Sequence, residues 1–178
     1  MKILITENQL QIINERHRKF IILYLHGLGS SIIEDKTNML KGAIIMKPEL
    51  DYKNPNLFDV LYKLSENKNI QAVMGHSMGG YLAYYLSVAF DIPCLLFNPA
   101  FNDVDNKMYN IPKGIKNKVY DGGNQYAIVG KLDDVVPAKK QISFLKKTGC
   151  KILMVDIGHD IPSTIKKKAF NNFLLKLN

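Results

Sequence analysis

Short runs of Ile, Val and Leu, each four to six residues long, alternate along most of this 178-residue chain with longer segments whose apolar residues recur at helical spacing. Near-continuous apolar runs of that length are strands buried on both faces. The segments between them are long enough to cross back over a sheet, and that alternation is how parallel strands joined by crossover helices are written. The expected strands are residues 20–25, 43–46, 70–74, 94–97, 126–129 and 151–155, with helices near 33–41, 56–68, 78–90, 138–148 and 162–177. The fold class is therefore α/β: one compact, open, mainly parallel sheet of about six strands with helices on both faces. Residues 1–19 differ in character. A small strand at 2–5 precedes Thr6 and Gln9, which stand at capping-box spacing and predict a helix over 7–18. We read 1–19 as a strand/helix extension packed on a domain spanning 20–178.

Composition narrows the function classes. Apolar residues make up 47% and charged residues 22%, which excludes a disordered tail, a collagen-like repeat or a coiled coil. The longest uncharged apolar runs fall far short of the roughly 18 residues that cross a bilayer. Residues 1–19 lack the basic start and apolar middle of a signal peptide. Cys94 and Cys150 form neither a metal-ligand pair nor a disulfide scaffold, so a reducing, cytoplasmic setting is expected. The formal charge is +8, and residues 131–178 hold ten Lys against four acids. Lysine outnumbers arginine 22 to 2, however, whereas base-edge reading and bidentate phosphate clamping draw heavily on Arg. The excess reads as a solvated lysine face rather than a nucleic-acid site. No motif sets an oligomeric state.

The chemistry is concentrated at strand ends. Gly75-His76-Ser77-Met78-Gly79 lies directly between an expected strand and an expected helix. A sharp strand-to-helix turn there holds the serine backbone in a strained conformation, and the flanking glycines avoid side-chain clashes. The hydroxyl projects from the sheet's carboxyl edge, where the helix N-terminus favours negative charge. A serine needs a base to take its proton. Asp133 follows the 126–129 strand and His159 follows the 151–155 strand, so Ser77, Asp133 and His159 stand in the chain order of an α/β-hydrolase triad. The loop His26-Gly27-Leu28-Gly29 follows the first central strand, and the Leu28 and Met78 amides are the expected oxyanion-hole donors. Gly29 or Ser30 replaces Leu28 if the loop curls differently.

Other residues compete for these roles. His76 packs beside the serine, His26 braces the oxyanion loop and His17 has no motif around it, which leaves His159 as the base. Asp134 adjoins Asp133, and Asp103 or Asp105 follows the 94–97 strand, where some hydrolases take their acid. Asp133 ranks first on the Asp-x-Val-Val-Pro spacing. Leu28, Met78, Phe101 and Ile161 are candidates for an apolar wall near Ser77. The irregular stretch 98–124 is a candidate cover for it, since long loops in compact domains are usually functional.

Taken together, His26-Gly27 after a strand, Gly-His-Ser-Met-Gly-Gly, Asp-x-Val-Val-Pro and a late Gly-His resemble the α/β-hydrolase superfamily. The stretches 24–31, 79–81 and 92–100 are similar to the small YqiA-like bacterial esterases. That resemblance implies a sheet without a large lid domain and hydrolysis of a carboxylic ester through an acyl-enzyme. The expected partner is a small-molecule ester or thioester with a short or medium acyl group. No organic cofactor or metal is expected. Thioester hydrolysis or acyl transfer is the nearest alternative. A non-catalytic binding protein that keeps the fold is the alternative of a different class.

Overall fold

The structure is a computed structural model that describes residues 20–29, 43–101, 108–118 and 123–177. In chain order the elements are β1 (Phe20–Leu25), β2 (Ala43–Met46), α1 (Leu57–Asn67), β3 (Ala72–His76), α2 (Met78–Phe90), β4 (Cys94–Phe97), a 3-10 turn (Met108–Asn110), α3 (Lys113–Lys116), β5 (Gln125–Gly130), α4 (Ala138–Lys147), β6 (Lys151–Val155) and α5 (Ser163–Leu177). The strands form one sheet in the order β2-β1-β3-β4-β5-β6, every neighbouring pair parallel. The expected α/β class and six-strand sheet are observed, with no separate lid domain among the described residues. The expected elements at 2–5, 7–18 and 33–41 lie outside those residues.

Alternation along the strands divides the core into two layers. Leu23 and Leu25 of β1 face one layer with α1, α2 and α4, while Ile22 and Tyr24 face the other, which is closed by Phe170 and Phe173 of α5. The sequence of α2 is apolar nearly all round because the helix is buried from Gly79 to Val88. It ends at Asp91 in the left-handed conformation, and Pro93 two residues on cannot prolong it.

One strand is displaced from its sequence-based bounds by two residues. β3 was expected at 70–74 and runs from Ala72 to His76. The Ile70 amide bonds the Ser65 carbonyl in the turn that closes α1, so the first bond to β1 comes from the Gln71 amide, to Ile21 O (2.9 Å), and the paired register begins at Ala72 opposite Ile22. At the other end Gly75 and His76 stay in the ladder, opposite Leu96 and Phe97. The shift carries the strand directly into Ser77. The stretch expected to be irregular contains the turn Met108–Asn110 and the single-turn α3.

Candidate active site

Ser77 sits at φ 52°, ψ −120°, between the last residue of β3 and the first of α2. Non-glycine residues rarely adopt this conformation, and holding one there costs on the order of 1–3 kcal/mol. Three backbone bonds hold it: the Ser77 amide donates to Phe97 O (2.9 Å), and Ser77 O accepts from Tyr81 N (3.1 Å) and Ala100 N (2.9 Å). The glycines make the turn possible. A Cβ on Gly75 would lie 2.2 Å from Gly79 O, and one on Gly79 would lie 2.2 Å from Leu25 O and 2.3 Å from His26 O. The loop after β1 also packs against the turn, less tightly, since a Cβ on Gly27 would meet Ser77 Cβ at 3.3 Å. Met78 opens α2, so its amide is among those a helix leaves without an internal acceptor.

Asp133 and His159 come together from the loops after β5 and β6. His159 Nδ1 lies 3.0 Å from both Asp133 carboxylate oxygens. A carboxylate only accepts, so Nδ1 carries the hydrogen and Nε2 is left with its lone pair in the neutral ring. Asp133 is buried, and its Oδ1 also accepts from the amides of Val135 (3.0 Å) and Val136 (2.8 Å). Gln141 Nε2 donates to Oδ2 (3.1 Å) and to the Val136 carbonyl (2.6 Å). Asp134 makes none of these contacts, and Asp103 and Asp105 lie outside the described residues.

The other two histidines among the described residues, His76 and His26, are committed to backbone groups. His76 donates from Nε2 to the His159 carbonyl (3.0 Å), with the two rings 4.9 Å apart. His26 Nδ1 bonds Gly27 O (2.9 Å), and the Tyr52 hydroxyl donates to His26 O, so this pair braces the loop that carries Leu28. His17 lies outside the described residues. Burial lowers the His76 pKa from its ordinary 6.5 to about 4. Between those values the unfolded chain binds a proton that the folded chain refuses, so stability rises with pH there. His76 therefore contributes a loss on the order of 3 kcal/mol as pH falls from about 7 to 4. His76→Gln keeps a donor and removes the titration; denaturant midpoints at pH 7, 5.5 and 4.5 should fall less steeply than in the wild type. Equal slopes would contradict this assignment.

Two residues near the site carried no role in the sequence reading. One is Gln141, read only as part of a helix. The other is Asn98, fully buried at the end of β4, with Oδ1 accepting from Gly130 N (2.7 Å) and Nδ2 donating to Gly158 O (3.0 Å) and His159 O (2.8 Å). An Asn directly after a buried strand and just before Pro99 was the available signal, but its partners are more than thirty residues away.

The expected apolar wall is only partly as read. Phe101 is spent in the core, stacked on Phe144 at 3.9 Å and edge-on to Tyr84. Ile161 is buried in the layer beneath α5. Neither presents a wall to a ligand. Exposed aliphatic surface lies instead on the loops after β1 and β5, at Leu28 (66% exposed), Leu132 (68%) and Val135 (59%), with Met78 half-buried.

Among the described residues no cluster of His, Cys, Asp and Glu is arranged to hold a metal ion, and no helix is long and apolar enough to cross a membrane. Both cysteines are free and buried, and burial pushes the Cys94 thiol up to about 12.

Solved structures share the fold. The ydeN gene product of B. subtilis superimposes with a TM-score of 0.66 at 13% identity, over 88% of this chain and 100% of that one. A protein of the α/β hydrolase superfamily from Xanthomonas campestris pv. campestris gives 0.64 at 16%, over 89% and 96%. A ferulic acid esterase from Anaeromyces mucronatus gives 0.54 at 21%, over 89% and 79%. The chain thus has the α/β-hydrolase fold. No curated protein matches it in sequence. The model of an uncharacterised protein family, UPF0227, matches residues 21–127, more than half of the chain, and the protein belongs to that family.

Proposed function

We propose that this protein is a serine hydrolase that cleaves a small carboxylic ester through an acyl-enzyme. The observations that carry the reading are the hydrogen-bonded Asp133–His159 pair, its carboxylate buried, and a serine held at φ 52° between β3 and α2. In the proposed reaction Ser77 Oγ attacks the ester carbonyl carbon while His159 Nε2 takes the hydroxyl proton. Asp133 keeps the hydrogen on Nδ1 and stabilises the imidazolium. The Met78 and Leu28 amides receive the oxyanion, each worth about 3 kcal/mol in the transition state. The tetrahedral intermediate collapses as His159 passes its proton to the departing alkoxide. Water then attacks the acyl-enzyme, again losing its proton to His159, and Ser77 leaves with that proton. The exposed Leu28, Leu132 and Val135 favour an apolar acyl or alcohol group of modest size.

Hydrolysis of 4-nitrophenyl butanoate tests this reading. The wild type should turn it over, and Ser77→Ala should lower kcat/KM by about 10⁴-fold or more. Equal turnover by Ser77→Ala would overturn it.

A further inference from the structure

We propose that Asn98 is a positioning residue for His159, tying the loop that carries the imidazole to the middle of the sheet. The consequence for turnover rests on the hydrolase reading above; the placement of the ring does not.

His159 stands four residues beyond the end of β6, and β6 is the outermost strand, partly exposed along its length. The pairing with β5 runs on as far as Leu132 N to Ile157 O (3.1 Å), two residues short of His159, so it fixes the start of the loop and leaves the imidazole's own residue to other partners. Asn98 follows β4, two strands inward, and its backbone amide is anchored on Ile128 O (3.0 Å). One planar head spans three segments: its oxygen accepts from the Gly130 amide at the end of β5, and its nitrogen donates to consecutive carbonyls, Gly158 and His159. The His159 carbonyl thus takes two donors, from Asn98 (2.8 Å) and His76 (3.0 Å), while Asp133 holds the ring. Gly130 clears the space, since a Cβ there would lie 2.6 Å from Ile157 O and 2.7 Å from Gly158 O.

The chemistry of the position selects asparagine. Its φ of 41° is tolerated by Asn and Asp among side-chain-bearing residues. The head must accept from one amide and donate to two carbonyls, and only a carboxamide does both. Aspartate keeps the shape and the backbone but turns an acceptor toward two carbonyls. Glycine keeps the backbone and removes all three bonds.

Asn98→Asp and Asn98→Gly test the proposal, read first by proton NMR of the His159 Nδ1 hydrogen. In the wild type its bond to Asp133 should give a strongly downfield signal. In folded variants that signal should broaden or vanish, and kcat on 4-nitrophenyl butanoate should fall about 10²-fold with KM within twofold, as expected for a base displaced by about an ångström. An unchanged signal and kcat within twofold in a folded variant would overturn the proposal. Loss of the fold in both variants would overturn it as well, making Asn98 a residue of the fold rather than of the base. If the wild type shows the signal but hydrolyses no ester, the hydrolase reading fails and the signal alone decides the role of Asn98.

Discussion

Asp133→Asn is expected to lower kcat for ester hydrolysis by about 10⁴-fold with the fold retained. The carboxylate accepts four hydrogen bonds, from the Val135 and Val136 amides, Gln141 Nε2 and His159 Nδ1. An asparagine keeps its oxygen on the two backbone amides and turns its NH2 toward His159. Nδ1 must then accept, the ring hydrogen moves to Nε2, and the lone pair that would take the Ser77 proton is gone. The imidazolium also loses its compensating charge. Gln141 Nε2 meets a donor where it had an acceptor, which costs about 1–3 kcal/mol unless its amide turns over. The measurement is kcat with thermal unfolding in parallel; a folded variant within tenfold of the wild type would contradict the role given to Asp133.

Gly79→Ala is expected to have the largest effect on stability. Its Cβ would stand 2.2 Å from Leu25 O and 2.3 Å from His26 O, and both are backbone atoms at the end of β1. No rotamer relieves such a contact, so either α2 or the His26–Gly29 loop must move. Overpacking of this kind costs about 3 kcal/mol or more, a fall of roughly 6–12 °C in Tm for a chain of this size. Gly114→Ala is the control. Nothing lies within 4 Å of its Cβ position, it sits in α3, and alanine there should be neutral or slightly stabilising. Differential scanning calorimetry of the two variants separates the cases; equal Tm values would show that the elbow has room to spare.

What was legible in the sequence follows the range of the interactions involved. β1, β2, β4 and β6 lie at the residues where apolar runs predicted them, α4 and α5 differ by a residue at one end, and α1 and β5 by a residue at each end. These runs are local and long enough to bury. β3 was displaced by two residues because Gly75 reads as a turn, whereas the missing Cβ lets the ladder continue beneath Gly79. Ser77, Asp133 and His159 could be read as candidates because parallel strands deliver their following loops to one sheet edge. The residues that hold the proposed site could not. Gln141 reads as one polar position in a helix, yet it reaches back to Asp133. Asn98 makes its bonds across 32, 60 and 61 residues of chain. Phe101 looked available to a ligand because local sequence does not show that Phe144 stacks on it.

The most direct test of an activated serine needs no knowledge of the natural ester. The protein is treated with a fluorophosphonate probe and its intact mass recorded for the wild type, Ser77→Ala and His159→Ala. One adduct on the wild type, absent from Ser77→Ala and strongly slowed in His159→Ala, is the predicted result. A folded wild type that gains no adduct, or a Ser77→Ala variant that labels as fast, would contradict the serine-hydrolase mechanism.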